Sequence, residues 1–194
     1  MVMLTDFDFS SHPEVQPMRL TRSEYLRWAE LGVFADKKVE LLDGVVVANS
    51  PQGYKHAFAV SKINEWLVRQ LSDHADILPQ VPFAPPGENL PEPDLAVVEK
   101  TFAPGEPPHQ AFLVVEIAES SLRYDRSTKL ALYASADVPE YWVVDLVHQV
   151  VEVYREPLED RYGALQTYRR GEQITLLAFP DSVFAVDVAF GLRQ

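Results

Sequence analysis

Residues 113–145 read LVVEIAESSLRYDRSTKLALYASADVPEYWVVD. Leu113–Ala118 is an apolar run of strand length that carries one acid, Glu116. A polar turn follows, then a predicted helix holding Asp125 and Lys129, then a second apolar run, Tyr141–Asp145. A carboxylate inside a run that reads as a buried strand costs several kcal/mol unless another group compensates it. The most economical compensator for Glu116 is a bound cation. The rest of the chain then has to supply further ligands and a frame.

The chain has 194 residues, enough to bury one substantial core. No stretch approaches the roughly 20 consecutive apolar residues of a membrane span. The first residues, MVMLTDFDFSSHPEVQP, lack the basic and apolar regions of a secretory signal. The absence of cysteine excludes disulfides and zinc–thiolate sites and fits a reducing, cytoplasmic setting. The net charge of −12 argues against tight, non-specific binding to DNA. It does not exclude a nucleic-acid partner, because some acids are candidate metal ligands and a local basic strip can coexist with an acidic whole.

Residues 1–17 are polar and aperiodic and read as an N-terminal arm. Thr21 and Glu24 then form a capping box, with Leu20 placed to staple Tyr25, and the helix should end near Gly32. Val39–Val47 reads as a hairpin turned by Asp43-Gly44. Alternation sets Glu40 with Leu42 and against Val39 and Leu41, which leaves two readings, an acid on a solvated edge or one facing a site. After a loop at Asn49–Gly53, a helix from Tyr54 to Leu71 carries the stripe Val60, Ile63, Leu67, Leu71. His56 in its first turn is either a satisfied surface histidine or a site residue. Asp76–Ala84 is strand-like but interrupted by prolines, which suits an edge or a bulge. Pro93–Val98 is a short strand with Asp94 at its start, and Thr101–Gln110 is a loop long enough to serve as a flap. Beyond Asp145, strands are predicted at Val150–Tyr154, Leu165–Arg170, Gln173–Phe179 and Phe184–Phe190, with turns at Glu156–Gly163 and Arg170-Gly171.

If the strands of Asp94 and Glu116 are neighbours, their carboxylates converge. Two carboxylates with waters suit Mg²⁺, which dehydrates reluctantly, and the backbone carbonyl of Ile117 is a third candidate oxygen. Asp125, Lys129, Leu132, Tyr133 and Ala136 share one side of the predicted helix. Lys129 is either the partner of Asp125 in a surface pair or a cation facing a carboxylate or phosphate.

The run from Glu116 to Asp145, with Val39–Gly44, His56 and Pro93-Asp94, resembles the Uma2-like (DUF820) family of the PD-(D/E)XK nuclease superfamily. The resemblance spans about Leu20 to Phe190 and is most specific over YDRSTKLALYASADVPEYWVVD. It implies an α/β (α+β) fold over residues 18–194: a restriction-endonuclease-like core, a central mixed β-sheet flanked by helices, with extra C-terminal strands. It further implies Mg²⁺-dependent hydrolysis of DNA phosphodiesters, with Mn²⁺ as a substitute ion. Asp94 and Glu116 would hold the metal with the Ile117 carbonyl, Lys129 would be the catalytic cation, and Glu40, His56 and Asp125 would be auxiliary. The superfamily's usual lysine position is Ala118, and the family's lysine role moves to Lys129. Ala118–Ser121 replaces the common SPS, and Asp137 stands where a glycine is usual. Nucleases of this type often work as homodimers. Two other classes stay open: a non-catalytic interaction or regulatory module that keeps the fold, and a metal-dependent hydrolase of a small phosphate ester, which would suit the acidic charge.

Overall fold

The computed structural model describes residues 16–48, 52–100 and 105–191. Nearly all of the expected arm, part of the 49–53 loop and the start of the 101–110 flap lie outside them. Helix α1 (Arg22–Glu30) begins at the expected capping box: Thr21 Oγ1 accepts from the Glu24 N–H, and the Glu24 carboxylate accepts from the Thr21 N–H at 2.8 Å. Strands β1 (Val39–Leu42) and β2 (Val45–Ala48) form the expected hairpin. Its turn residues Asp43 and Gly44 have φ of 48° and 73°, as a primed two-residue turn requires. Gly44 is also needed for room, because a Cβ there would lie 2.7 Å from Arg19 Cβ. Val39 and Leu41 pack with Leu20, Tyr25, Ala84 and Leu90. Alternation turns Glu40 the other way, and it is buried too.

Helix α2 spans Tyr54–Leu71. The main sheet contains β3 (Ala75–Pro79), β4 (Leu95–Glu99), β5 (Leu113–Ala118), β6 (Glu140–Asp145), β7 (Val150–Leu158) and β8 (Arg161–Arg169), in that spatial order. The β5–β6 pair is parallel and every other pair is antiparallel. A parallel neighbour needs a crossover, and the helical segment between Glu116 and Tyr141 provides it.

The two-residue period of the strands sorts the core. Leu95, Val97, Leu113, Val115, Ile117, Trp142 and Val144 face Ala59, Ile63, Leu67 and Leu71 of α2. Ala96, Val98, Val114, Ala118 and Val143 face the opposite layer, which includes Tyr133. Glu116 falls on the parity of this second set, so its carboxylate leaves the sheet on the side of the crossover, while Asp94, one residue before β4, is reached by His56 of α2.

The structure corrects three expectations. The crossover is not one regular helix: between α3 (Leu122–Tyr124) and α4 (Leu130–Ser135), residues Asp125–Lys129 form a π-helical turn. The Tyr141 hydroxyl donates to the Asp125 carbonyl at 3.0 Å, giving that acceptor a partner from outside the helix. The turn expected over Glu156–Gly163 is tighter than that: β7 and β8 pair out to Leu158↔Arg161, and the chain reverses at Glu159-Asp160 within it. The predicted last strands are shorter: β9 (Gln173–Thr175) pairs with β10 (Val183–Ala185), and Asp187–Phe190 is a short helix, α5. Asp187 explains the switch, since its carboxylate accepts from Arg170 Nε at 2.9 Å and the Gly171 N–H at 2.7 Å.

Candidate active site

Asp94 sits one step before β4, and continuing the antiparallel register (Leu95↔Val115) places it opposite Glu116. Around them a cavity of about 270 Å³ is lined by Glu40, His56, Asp94, Glu116, Ile117, Asp125 and Lys129. The structure therefore gathers every residue that the sequence singled out. Glu40 is buried and lies in the cavity wall rather than on a solvated edge. His56 is buried and bonded to Asp94. Asp125 and Lys129 are both buried, and Lys129 pairs elsewhere than with Asp125 in a surface ion pair.

Lys129 Nζ donates to Glu40 Oε2 at 2.5 Å and to Glu116 Oε1 at 3.1 Å. Burial alone would lower its pKa, but the charges of Glu116 and Glu40 outweigh burial and hold the ammonium above the ordinary lysine value. Lys129 is thus a fixed cation and not a base. The Tyr133 hydroxyl donates to the same Glu116 Oε1 at 2.7 Å. Burial, with Asp94, Asp125 and Glu40 nearby and against the pull of Lys129, pushes the Glu116 carboxyl up to about 8. Burial likewise pushes Asp125 up to about 6, although Ser121 Oγ donates to its carboxylate at 2.6 Å.

The oxygens of the two central carboxylates are not equivalent. Asp94 Oδ2 takes short bonds from His56 Nε2 and the Ile117 N–H, both at 2.9 Å. Asp94 Oδ1 meets the exposed amides of Gln52 at 3.2 Å and Gln80 at 3.4 Å. Glu116 Oε1 is held by Lys129 and Tyr133, while Oε2 has the Asp94 N–H at 3.4 Å. Each acid has one anchored oxygen and one weakly engaged oxygen. Among the described residues, no group of three or more histidine and carboxylate side chains is arranged to hold a metal ion. A pair of weakly engaged carboxylate oxygens, with excess negative charge around them, fits an ion that retains most of its water, as Mg²⁺ does.

A family described as "Putative restriction endonuclease", Uma2, matches residues 22–189. The chain belongs to the Uma2 family. The match takes in the hairpin, both carboxylate strands and the crossover, so every site residue of this Uma2 chain lies within it. No curated protein matches the chain. Among solved structures, it is similar to a protein from Anabaena variabilis ATCC 29413 described as a putative nuclease belonging to DUF820. That likeness has a TM-score of 0.68 at 18% identity and covers 88% of this chain and 97% of the other. At that identity it speaks for the fold, which is the restriction-endonuclease-like architecture expected from the sequence. A type IIG restriction endonuclease, BpuSI, matches at a TM-score of 0.39 and 12% identity over 62% of this chain and 14% of its own, too distant to carry an argument.

Sequence reasoning on this Uma2 chain missed several residues that touch the site acids or line the cavity. Gln52 and Gln80 are exposed glutamines with no pattern to mark them. Ser121, four residues before Asp125, was available as a helical hydrogen-bond partner. Tyr133 packs against the sheet with Ala96, Val114 and Val143, and its hydroxyl bonds Glu116. Tyr124, whose hydroxyl is buried without a hydrogen-bond partner among the described residues, also lines the cavity.

Proposed function

We propose that this cavity is the active site of a Mg²⁺-dependent endonuclease that hydrolyses DNA phosphodiesters, with Mn²⁺ able to substitute. The observation that carries the reading is the pairing of Asp94 and Glu116 across β4 and β5, with Lys129 bonded to Glu116 in the same cavity. Asp94 and Glu116 would hold the ion, with the Ile117 carbonyl as a third oxygen. When bound, the ion supplies Lewis acidity, polarising the phosphate and acidifying water. Lys129 contributes a positive charge fixed by Glu40 and Glu116, set to stabilise charge that develops on the phosphate. Tyr133 holds Glu116 Oε1, so the carboxylate does not swing as charge in the cavity changes. Asp125, held by Ser121, adds a further acid on the cavity wall. Cutting both strands of a duplex calls for two such sites, which a homodimer would provide.

Supercoiled plasmid incubated with Mg²⁺ or Mn²⁺ tests the reading. Nicking or linearisation by the parent and none by Glu116→Gln is the expected result. An inert parent with both ions would overturn it. The net charge of −12 favours a second reading, hydrolysis of a small phosphate ester. Turnover of p-nitrophenyl phosphate by a parent that leaves plasmid intact would select that reading.

A further inference from the structure

We infer that His56 is the positioning residue of Asp94: it anchors one carboxylate oxygen so that the other is presented to a divalent cation. The inference rests on the metal-dependent reading above and says how this chain prepares its ligand.

Four observations carry it. First, the His56 side chain is 7% exposed, and its Nε2 lies 2.9 Å from Asp94 Oδ2. An ionised carboxylate can only accept, so the proton sits on Nε2 and the imidazole donates. Second, His56 Nδ1 is buried and has no hydrogen-bond partner among the described residues. The bond to Asp94 is therefore the one the ring makes among them. Third, the Ile117 N–H donates to the same Oδ2 at 2.9 Å. A buried ring and a strand backbone converge on one oxygen, and both are rigid. Fourth, the partners of Oδ1 are of the opposite kind. Gln52 and Gln80 are exposed, their amides reach Oδ1 at 3.2 and 3.4 Å, and Gln80 Nε2 makes a shorter bond of 2.9 Å to Gln52 Oε1. Exposed amides that prefer each other give way to a cation at little cost. A buried histidine does not.

The position of His56 in the chain follows from the same logic. It occupies the first turn of α2, on the stripe continued by Ala59, Ile63 and Leu67. Burial of that stripe against β4 and β5 fixes the ring, so the orientation of Asp94 is coupled to packing of the core rather than to a loop.

The experiment uses Mn²⁺ alone as probe, with calorimetric titration of the full chain. His56→Ala should weaken Mn²⁺ binding about 10- to 100-fold, the usual effect of losing a partner that orients a ligand. His56→Gln, which can place an amide N–H near the position of Nε2, should recover most of that loss. Gln80→Ala should bind Mn²⁺ at least as well as the parent. A His56→Ala variant that melts like the parent and binds Mn²⁺ equally would overturn the proposal. So would a His56→Gln variant as weak as His56→Ala, since the ring would then matter for packing alone. Nitrogen NMR of the metal-free protein separates this proposal from the reading beneath it. Protonation at Nε2 that is lost or altered in Asp94→Asn upholds the anchor even if the parent binds no Mn²⁺, in which case the metal-dependent reading fails. Protonation at Nδ1 instead overturns the anchor whatever the metal does.

Discussion

Lys129 and Glu40 are 89 positions apart in the chain and 2.5 Å apart in the fold, both almost fully buried. The hairpin that carries Glu40 forms its own two-stranded sheet, and the lysine comes from the crossover helix. One ion pair therefore ties the N-terminal hairpin to the main sheet at the candidate site.

Lys129→Ala removes the shared partner of Glu40 and Glu116 and leaves two buried carboxylates uncompensated. The expected cost is about 3–5 kcal/mol, measured by urea unfolding. Plasmid cleavage should fall by about 100- to 1000-fold under conditions where the variant is folded. Full activity in the folded variant would remove Lys129 from the mechanism.

Glu116→Gln should separate stability from metal binding. The carboxyl is crowded by Asp94, Asp125 and Glu40, so a neutral amide of the same shape relieves repulsion even as it loses the ion pair with Lys129. The melting temperature without metal should stay close to that of the parent. Mn²⁺ at about 100 times its dissociation constant should stabilise the parent by about 2.7 kcal/mol and the variant by almost nothing. Equal stabilisation of both, read by thermal melting, would place the ion elsewhere.

Much of this arrangement was legible in the sequence because it is written in local signals. Glu116 is an acid in an apolar run, Asp43-Gly44 is a turn between two apolar runs, and Thr21 with Glu24 is a capping signal. Each rests on neighbours a few residues away. The pairing of Glu40 with Lys129 was not legible, because alternation gives a face and not a partner. The π turn was hidden for another reason: the helical pieces on either side, Leu122–Tyr124 and Leu130–Ser135, are too short for a change of phase to show in the apolar spacing. Phe184–Phe190 alternates well enough for a strand, but the bonds from Arg170 and Gly171 to Asp187 come from the turn between β8 and β9, which local alternation does not see. Gln52 and Gln80 are ordinary exposed glutamines until the fold brings them over Asp94.

Asp145 closes β6 and organises the turn after it. Its carboxylate accepts from the Val147 N–H at 3.0 Å, the His148 N–H at 2.9 Å and His148 Nδ1 at 2.7 Å. Burial raises its pKa, but these bonds outweigh burial and leave it below the ordinary carboxylate value. A depressed folded-state value means stability that is present above the unfolded value, about 3.9, and lost as pH falls through the folded one. Asp145→Asn should cost about 2 kcal/mol at pH 7. The gap to the parent should narrow as pH falls below the unfolded value, followed by urea unfolding at neutral and acid pH. A gap independent of pH would mean that charge plays no part.

Gly44→Ala tests the hairpin that delivers Glu40. The new Cβ would be strained at a φ of 73° and would crowd Arg19 Cβ at 2.7 Å. The left-handed conformation alone costs about 1–2 kcal/mol, so a loss of at least that size is expected in thermal melting. Cleavage should also weaken, since a shifted hairpin moves Glu40 off Lys129.

The π turn at Asp125–Lys129 is equivalent to one residue spliced into an α-helix. Upstream of it, the Tyr141 hydroxyl of β6 holds the Asp125 carbonyl; downstream, Glu116 of β5 holds the Tyr133 hydroxyl. Removing one residue would rotate the two halves against each other by about 100°. Either contact would survive such a deletion, but not both. The stretch works as a keyed coupling between two strands of the sheet, and its length in residues is part of the key.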